Sequence, residues 1–284
     1  MKTILQNCMV LLLIGVLLLA CQSALADELN QQEKPWKKFS IDAGVFLTAV
    51  DSSVRFGTGL GVDIDVEKAL DLDSTSTVFR ADALWRFTPN RRHRLDFTWF
   101  SLRRDGNRRV TDDITIEDDD GNTITIPSGT SVDAYFNLDI YELAYSYSFF
   151  QDDRIDLAAG IGIYVMPIDF GIKVSGLLDE EEEEEFTAPL PVFALRMDVA
   201  LTPQWFIRTG AQVFYAEIDN FTGSIMEFRT ALEYNPWTHV GIGLGFDTLG
   251  IRLESENEDW PGVDLKGKVE FNYAGMLLYL RVFF

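Results

Sequence analysis

Cysteine is almost missing from this chain: Cys8 and Cys21 are the only two, and both fall within the first 26 residues. A disulfide framework and a structural zinc centre are excluded on that count. Histidine is as scarce, with His93 and His239 alone, so few side chains are suited to activating a nucleophile near neutral pH. Positive charge is in deficit, 24 lysines and arginines against 45 aspartates and glutamates. A net charge of −21 argues against nucleic acid as a partner, because phosphate binding requires a basic face. No apolar run reaches the ~20 residues that carry a helix across a bilayer, and no Walker, dinucleotide-binding or metalloprotease motif is present.

The longest apolar run, Met9 to Ala20, follows Lys2 and precedes the small residues Ser23, Ala24 and Ala26. That order is expected of a secretory signal peptide spanning residues 1–26, cleaved after Ala24-Leu25-Ala26. Leu18-Leu19-Ala20-Cys21 also resembles a lipobox, which leaves acylation of Cys21 open. Residues 27–37 then form a short periplasmic N-terminal segment, and 38–284 a single large domain.

Within that domain the dominant signal is alternation. In the last stretch Phe284, Val282, Leu280, Leu278 and Met276 fall on one face, and Phe283, Arg281, Tyr279, Leu277 and Tyr273 on the other. One face is apolar throughout and the other mixed, the pattern of a strand between lipid and a polar interior. Ten segments alternate in this way, near 38–50, 76–88, 92–105, 131–149, 153–170, 189–202, 204–217, 222–234, 237–254 and 267–284. Phe79, Ala81, Ala83, Trp85 and Phe87 oppose Arg80, Asp82 and Arg86, while Phe193, Leu195, Met197 and Val199 oppose Arg196 and Asp198. In the fourth segment the apolar face changes phase near Ile140 and Tyr141, which reads as a β-bulge. A mean hydropathy near zero fits such a pattern, since the two faces cancel on average.

The connections alternate as well. Thr88 to Arg92, Gln151 to Asp153, Thr202 to Gln204 and Asn235-Pro236 are tight, whereas 51–75, 106–130, 171–188 and 255–266 are long and mostly acidic. This predicts an all-β fold, an antiparallel transmembrane β-barrel of about ten strands, eight and twelve being the even alternatives, with both termini periplasmic. Trp36, Trp85, Phe87, Phe149, Phe150, Trp205, Phe206, Tyr234, Trp237, Phe283 and Phe284 cluster beside the tight turns and are expected to form an interfacial girdle. A soluble sandwich would leave the apolar outer faces uncovered.

With signal peptide, alternating strands, turn asymmetry and terminal aromatic strand together, the chain resembles the small bacterial outer-membrane β-barrel superfamily. The resemblance implies residence in the bacterial outer membrane, among its lipid and lipopolysaccharide. It also implies that Leu278, Leu280, Val282 and Phe284 form the signal read by the barrel-assembly machinery.

Charges of both signs fall on the inward face: Asp42, Arg80, Asp82, Arg86, Arg94, Asp96, Asp156, Arg196, Asp198, Arg208, Glu227, Arg229, Glu233 and Arg281. Ten strands lie near the size at which side chains fill the interior, so these residues are expected to pair across it. Register across the tight turns places Asp198 opposite Arg208, Glu233 opposite His239, and Arg86 diagonal to Asp96. Inward glycines at Gly160, Gly162, Gly241, Gly243 and Gly245 leave space that water could fill, which keeps a narrow porin-like channel as the second reading.

The run Asp179 to Glu185 is wholly acidic and is expected to lie solvated in a loop. Asp179, Glu180 and Glu181 are weak candidates for a divalent cation such as Ca²⁺ or Mg²⁺. Asp120-Gly121 reads as a hairpin turn between 111–117 and 123–126. Omptin-like outer-membrane proteases share the strand number, but the catalytic pattern they imply needs a histidine near the outer rim, and both histidines here flank tight turns. Ser101 is separated from His93 by roughly 26 Å of extended strand. The sequence thus points to a monomeric outer-membrane barrel without cofactor or enzymatic activity, in a structural or surface-interaction role.

Overall fold

A computed structural model of the chain describes residues 35–56, 64–65, 75–109, 114–117, 123–174, 182–218, 221–255 and 267–284. The proposed signal peptide lies outside them. Among the described residues thirteen strands are formed: β1 (Phe39–Phe56), β2 (Ile64–Asp65), β3 (Thr75–Arg86), β4 (His93–Arg109), β5 (Ile114–Glu117), β6 (Thr123–Ile126), β7 (Ser131–Gln151), β8 (Ile155–Val174), β9 (Glu182–Ala200), β10 (Trp205–Ile218), β11 (Phe221–Tyr234), β12 (Val240–Ser255) and β13 (Gly267–Phe283). Ten of these, β1, β3, β4 and β7 to β13, pair antiparallel in sequence order, and β13 pairs with β1 to close the ring. The closure is sealed at its end by Lys38 N–H and Phe39 N–H, which donate to the Phe284 carbonyl at 2.8 and 3.1 Å.

Each strand is continuous because its residues alternate between two media. On β13 the even-numbered residues from Met276 to Phe284 are exposed and the odd ones from Phe271 to Phe283 buried. The same holds on β9, where Phe193 and Leu195 face outward and Arg196 and Asp198 inward. Following paired residues once around, from Phe39 through Trp85, Leu95, Tyr145, Ile161, Phe193, Val213, Met226, Gly250 and Asn272, returns to Asp51. The ring therefore closes with a stagger of twelve positions along β1. For ten strands that stagger fixes a tilt of about 40° and a backbone radius of about 10 Å. At this tilt the outward apolar run from Phe284 to Ala274 climbs about 25 Å, the height of an outer-membrane apolar band.

Several expectations change. The bulge in β7 lies between Ser148 and Phe150, not at Ile140. The apparent phase change arises because Phe136, Leu138 and Ile140 face inward and are buried, so an apolar residue is found on both faces there. The acidic stretch expected as loop is partly strand: β8 continues to Val174, β9 starts at Glu182, and Ile172 pairs with Glu182. Of the expected girdle, Phe87, Phe149, Phe150, Trp205, Trp237 and Phe284 are exposed, but Trp36, Phe206 and Phe283 are buried inside. The expected hairpin is present as β5 paired with β6, its turn lying outside the described residues.

Two seams interrupt the wall. β9 and β10 pair only from Ala200 and Phe206 up to Phe193 and Val213. β3 and β4 pair only from Arg86 and Arg94 up to Arg80 and Phe100. Above those rungs the ring consists of two sheets, β4-β7-β8-β9 and β10-β11-β12-β13-β1-β3, facing one another as in a sandwich.

Candidate functional site

The barrel interior is divided by height. Toward the short turns it holds a layer of ions; above that layer it holds a mostly apolar core, into which Arg104 is buried over the Phe136 ring and bonded to Ser52 at 3.1 Å. Strand alternation aims every sequence-selected inward charge into the same layer, and the tilt brings together residues far apart in the chain.

Three clusters merge there. Near the turns, Asp198 accepts from Arg86, Arg94 and Arg208 at 3.1, 3.0 and 2.9 Å, and Arg86 also reaches Asp156 at 3.0 Å. Arg208 continues to Glu233 at 2.7 Å, which also accepts from Arg281 and from the Tyr279 hydroxyl. Midway, Arg80 donates to Asp247 at 2.5 Å and Asp82 at 3.1 Å, its guanidinium lying over the rings of Phe46 and Phe100. Highest, Arg229 contacts Glu227, Asp247 and Asp82 at 2.6, 3.0 and 3.2 Å. Arg196 bridges Asp96 and Glu142 at 3.4 and 3.1 Å. Since a guanidinium offers five donors in a fixed fork, each arginine can hold two or three carboxylates.

The structure brings Asp198 and Arg208 together in register. It separates two other expected pairs. Glu233 is opposite Gly243, because the β11–β12 connection runs from Asn235 to His239 and is longer than the Asn235-Pro236 turn assumed. Arg86 is diagonal to Asp96 along the ladder, yet its guanidinium turns across the lumen to Asp156 and Asp198, while Arg94 takes Asp96 at 2.7 Å. Sequence reasoning missed Glu142, Tyr164, Gln212 and Asp247. Gln212 donates to both Glu142 and Glu227 at 2.7 Å, and the Tyr164 hydroxyl donates to Glu227 at 2.8 Å. The missing signal was available: Glu142 is in phase with Ser146 and Ser148, and Asp247 with the glycines of β12.

The layer is bounded on both sides. Above it Leu102, Leu138, Ile140, Met166, Leu190, Val192, Ile225, Leu249 and Leu253 form one buried cluster, with Phe136 stacked on Phe271 at 6.1 Å across the two sheets. Below it, residues 35–38 cross the turn end. Trp36 is buried edge-on against Phe206, its indole N–H donating to the Asp152 carbonyl at 2.6 Å and its own carbonyl accepting from Arg91 at 2.6 Å. Between them a cavity of about 90 Å³ is lined by Asp42, Asp247, Arg94, Arg196, Arg229 and Arg281 among others, space for only a few waters.

The glycines differ in what they leave: Gly245 lines this cavity, whereas Gly243 and Gly275 are covered. A Cβ on Gly243 would fall within the Tyr279 ring, and one on Gly275 would meet the Phe46 ring at 2.6 Å. Large neighbours fill the volume that the missing side chains release. Both histidines lie at the turn end, His93 2.8 Å from the Tyr145 hydroxyl and His239 3.1 Å from the Phe283 carbonyl. Leu278, Leu280, Val282 and Phe284 face outward on the strand that closes the ring. Asp179, Glu180 and Glu181 lie outside the described residues, among which no group of three or more His, Cys, Asp or Glu is arranged to hold a metal ion.

No family model and no curated protein matches the chain. Solved structures do. The outer membrane protease OmpT of Escherichia coli aligns with 90% of this chain and 99% of its own at 8% identity and a TM-score of 0.53. OprG of Pseudomonas aeruginosa covers 89% and 99% at 6% identity, TM-score 0.34. The translocator domain of the autotransporter NalP from Neisseria meningitidis covers 92% and 93% at 9% identity, TM-score 0.37. At 8% identity the OmpT likeness establishes a shared β-barrel fold and no activity.

Proposed function

We propose that this outer-membrane β-barrel is a sealed, monomeric scaffold that holds long acidic loops outside the cell, in a structural or surface-interaction role. One observation carries the reading: among the described residues the ion layer lies between a mostly apolar buried cluster above and Trp36 packed on Phe206 below, which supports a sealed lumen. An ion leaving the charged layer would have to cross packed hydrocarbon side chains, where desolvation costs several kcal/mol or more. On this reading the tight turns and both ends of the barrel are periplasmic, and divalent cations and lipopolysaccharide are the partners of the acidic loop side. The barrel-assembly machinery reads the final strand. A hydrolase is disfavoured because His93 and His239 are at the turn end and engaged with Tyr145 and Phe283.

Planar-bilayer recording of the refolded mature chain, with folding checked by heat-dependent gel mobility, tests this. Silence at both polarities is the expected result. Discrete, salt-dependent steps would replace the scaffold by a narrow pore with the inward arginines and carboxylates as its selectivity groups.

A further inference from the structure

The β9–β10 seam has a cause in the sequence. Ala200 N–H donates to Arg154 beside β8, at 2.7 Å, and Leu201 N–H donates to Trp205 of β10, at 2.9 Å. Backbone groups in an antiparallel ladder alternate between the two neighbours, so the odd-numbered residues of β9 are those that donate toward β10. The last rung joins Phe193 and Val213. The next two exchange positions on β9 are Pro191 and Pro189, opposite Tyr215 and Glu217 when the register is continued. Neither proline has an N–H to give. The wall therefore parts where the ladder loses two successive donors, although β9 continues to Glu182 and β10 to Ile218.

The height of this parting matters. Val213 is eight residues above the start of β10, about 20 Å at the barrel's tilt, and so within the upper part of the ~25 Å apolar band. On the same scale Tyr215 lies about 25 Å above the start of β10, at the boundary between the apolar band and the headgroups, and Glu217 about 5 Å beyond it; the prolines give neither carbonyl a β9 donor, and at that boundary such a strand edge is stabilised by a group that can donate to it. The side chains of Tyr215 and Glu217 bond each other at 2.9 Å. Around the opening are some of the barrel's most exposed apolar side chains, Phe193 at 66%, Leu195 at 62%, Tyr215 at 65% and Met226 at 70%. Behind it are the buried Leu190 and Val192 and the half-buried Phe214.

We propose that this seam is a binding site for an outer-leaflet lipid whose acyl chains are joined through amide or hydroxyl-bearing groups. The amide or hydroxyl donates to the Tyr215 and Glu217 carbonyls of β10, and one acyl chain lies between the strands against Phe214 and Val192. Such a lipid supplies both halves of what the seam lacks, hydrogen-bond donors and apolar contact. Phosphatidylcholine, which has no N–H or O–H to donate, supplies only the second. The proposal rests on the barrel lying in a membrane, and it is indifferent to whether the lumen conducts, so the bilayer recording above does not decide it.

A photocrosslinker tests it. The mature chain carrying p-benzoylphenylalanine in place of Phe214, or in place of Ile225 as an inward control away from the seam, is refolded into phosphatidylcholine vesicles with or without rough lipopolysaccharide. After irradiation the intact mass is measured. The expected result is a lipopolysaccharide adduct at position 214, none at 225, and little with phosphatidylcholine alone. Combining the label with Pro189→Val and Pro191→Val, which restores both donors, should abolish the adduct. Equal labelling at 214 and 225, or equal labelling by both lipids, overturns the proposal. So does a crosslinked dimer, which would make a second copy of the chain the occupant. Because the two comparisons at 214 and 225 use the proline-containing chain, failure of the proline variants to fold leaves the test intact.

Discussion

Replacing Asp198 by alanine or asparagine puts the ion layer under direct strain. Its carboxylate is buried and takes three guanidinium groups, from Arg86, Arg94 and Arg208, at 3.1, 3.0 and 2.9 Å. Each such contact corresponds to about 5 kcal/mol of bare Coulomb energy at an effective dielectric near 20, most of it offset by the desolvation of both charges. The three arginines do not lose every partner, because Arg86 retains Asp156, Arg94 retains Asp96 and Arg208 retains Glu233. What remains is about one uncompensated positive charge in a closed interior, for which a loss of about 3–5 kcal/mol is expected. That is a shift of roughly a hundredfold to several thousandfold in the unfolding equilibrium. Reversible urea unfolding in phospholipid vesicles, followed by tryptophan fluorescence, reads it. Asp198→Asn keeps the volume, so a similar loss in both variants assigns the effect to charge and not to a cavity. Adding Arg208→Ala to Asp198→Ala should recover part of the loss. An Asp198→Asn midpoint indistinguishable from the unsubstituted chain would refute the view that the layer is held by paired charge.

Gly243→Ala should destabilise by about 1–3 kcal/mol, since its Cβ overlaps the Tyr279 ring and moving that ring disturbs the 2.8 Å bond to Glu233; an unchanged unfolding midpoint would mean that the interior has room to spare. At the turn end, backbone N–H groups of Arg154 and Ile155 donate to the exposed Asp152 carboxylate at 2.7 Å and hold its pKa below the usual carboxylate range. A lowered native pKa makes this contribution complete above the unfolded value of about 3.9 and lost as pH falls through the native one. The stability difference between the unsubstituted chain and Asp152→Asn should therefore shrink on acidification below about pH 4, and a difference constant from pH 7 to pH 2 would contradict the assignment.

The charges of the ion layer were legible in the sequence wherever a strand kept strict alternation. Arg80, Asp82 and Arg86 on β3 and Arg196 and Asp198 on β9 needed only the two-residue period. Glu142 shares the inward phase of Ser146 and Ser148, but that phase was obscured because β7 carries apolar residues on both faces above it, Ile140 inward and Tyr141 outward. Trp36 was misplaced for a related reason. An aromatic residue beside a tight turn fits the interfacial girdle and the end of the lumen equally well, and only the path of residues 35–38 across the opening separates the two. Gly243 was read as space because a sequence shows a missing side chain but not the Tyr279 ring that covers it, while Gly245 does line the cavity.

By itself the sequence determined the ten strands, the face each presents to lipid and the set of inward charges, because a period of two is a local property of an extended chain. Pro189 and Pro191 likewise determined locally where donors toward β10 run out. Which arginine meets which carboxylate was decided only by the tertiary structure, since Arg80 and Asp247 are 167 positions apart and meet through the tilt and stagger of a closed ring. The same closure decided that most of the charges gather in one half of the lumen and most of the hydrocarbon in the other, with Arg104 buried among the latter. Two opposing walls at a radius of about 10 Å leave no width for anything but interlocking side chains.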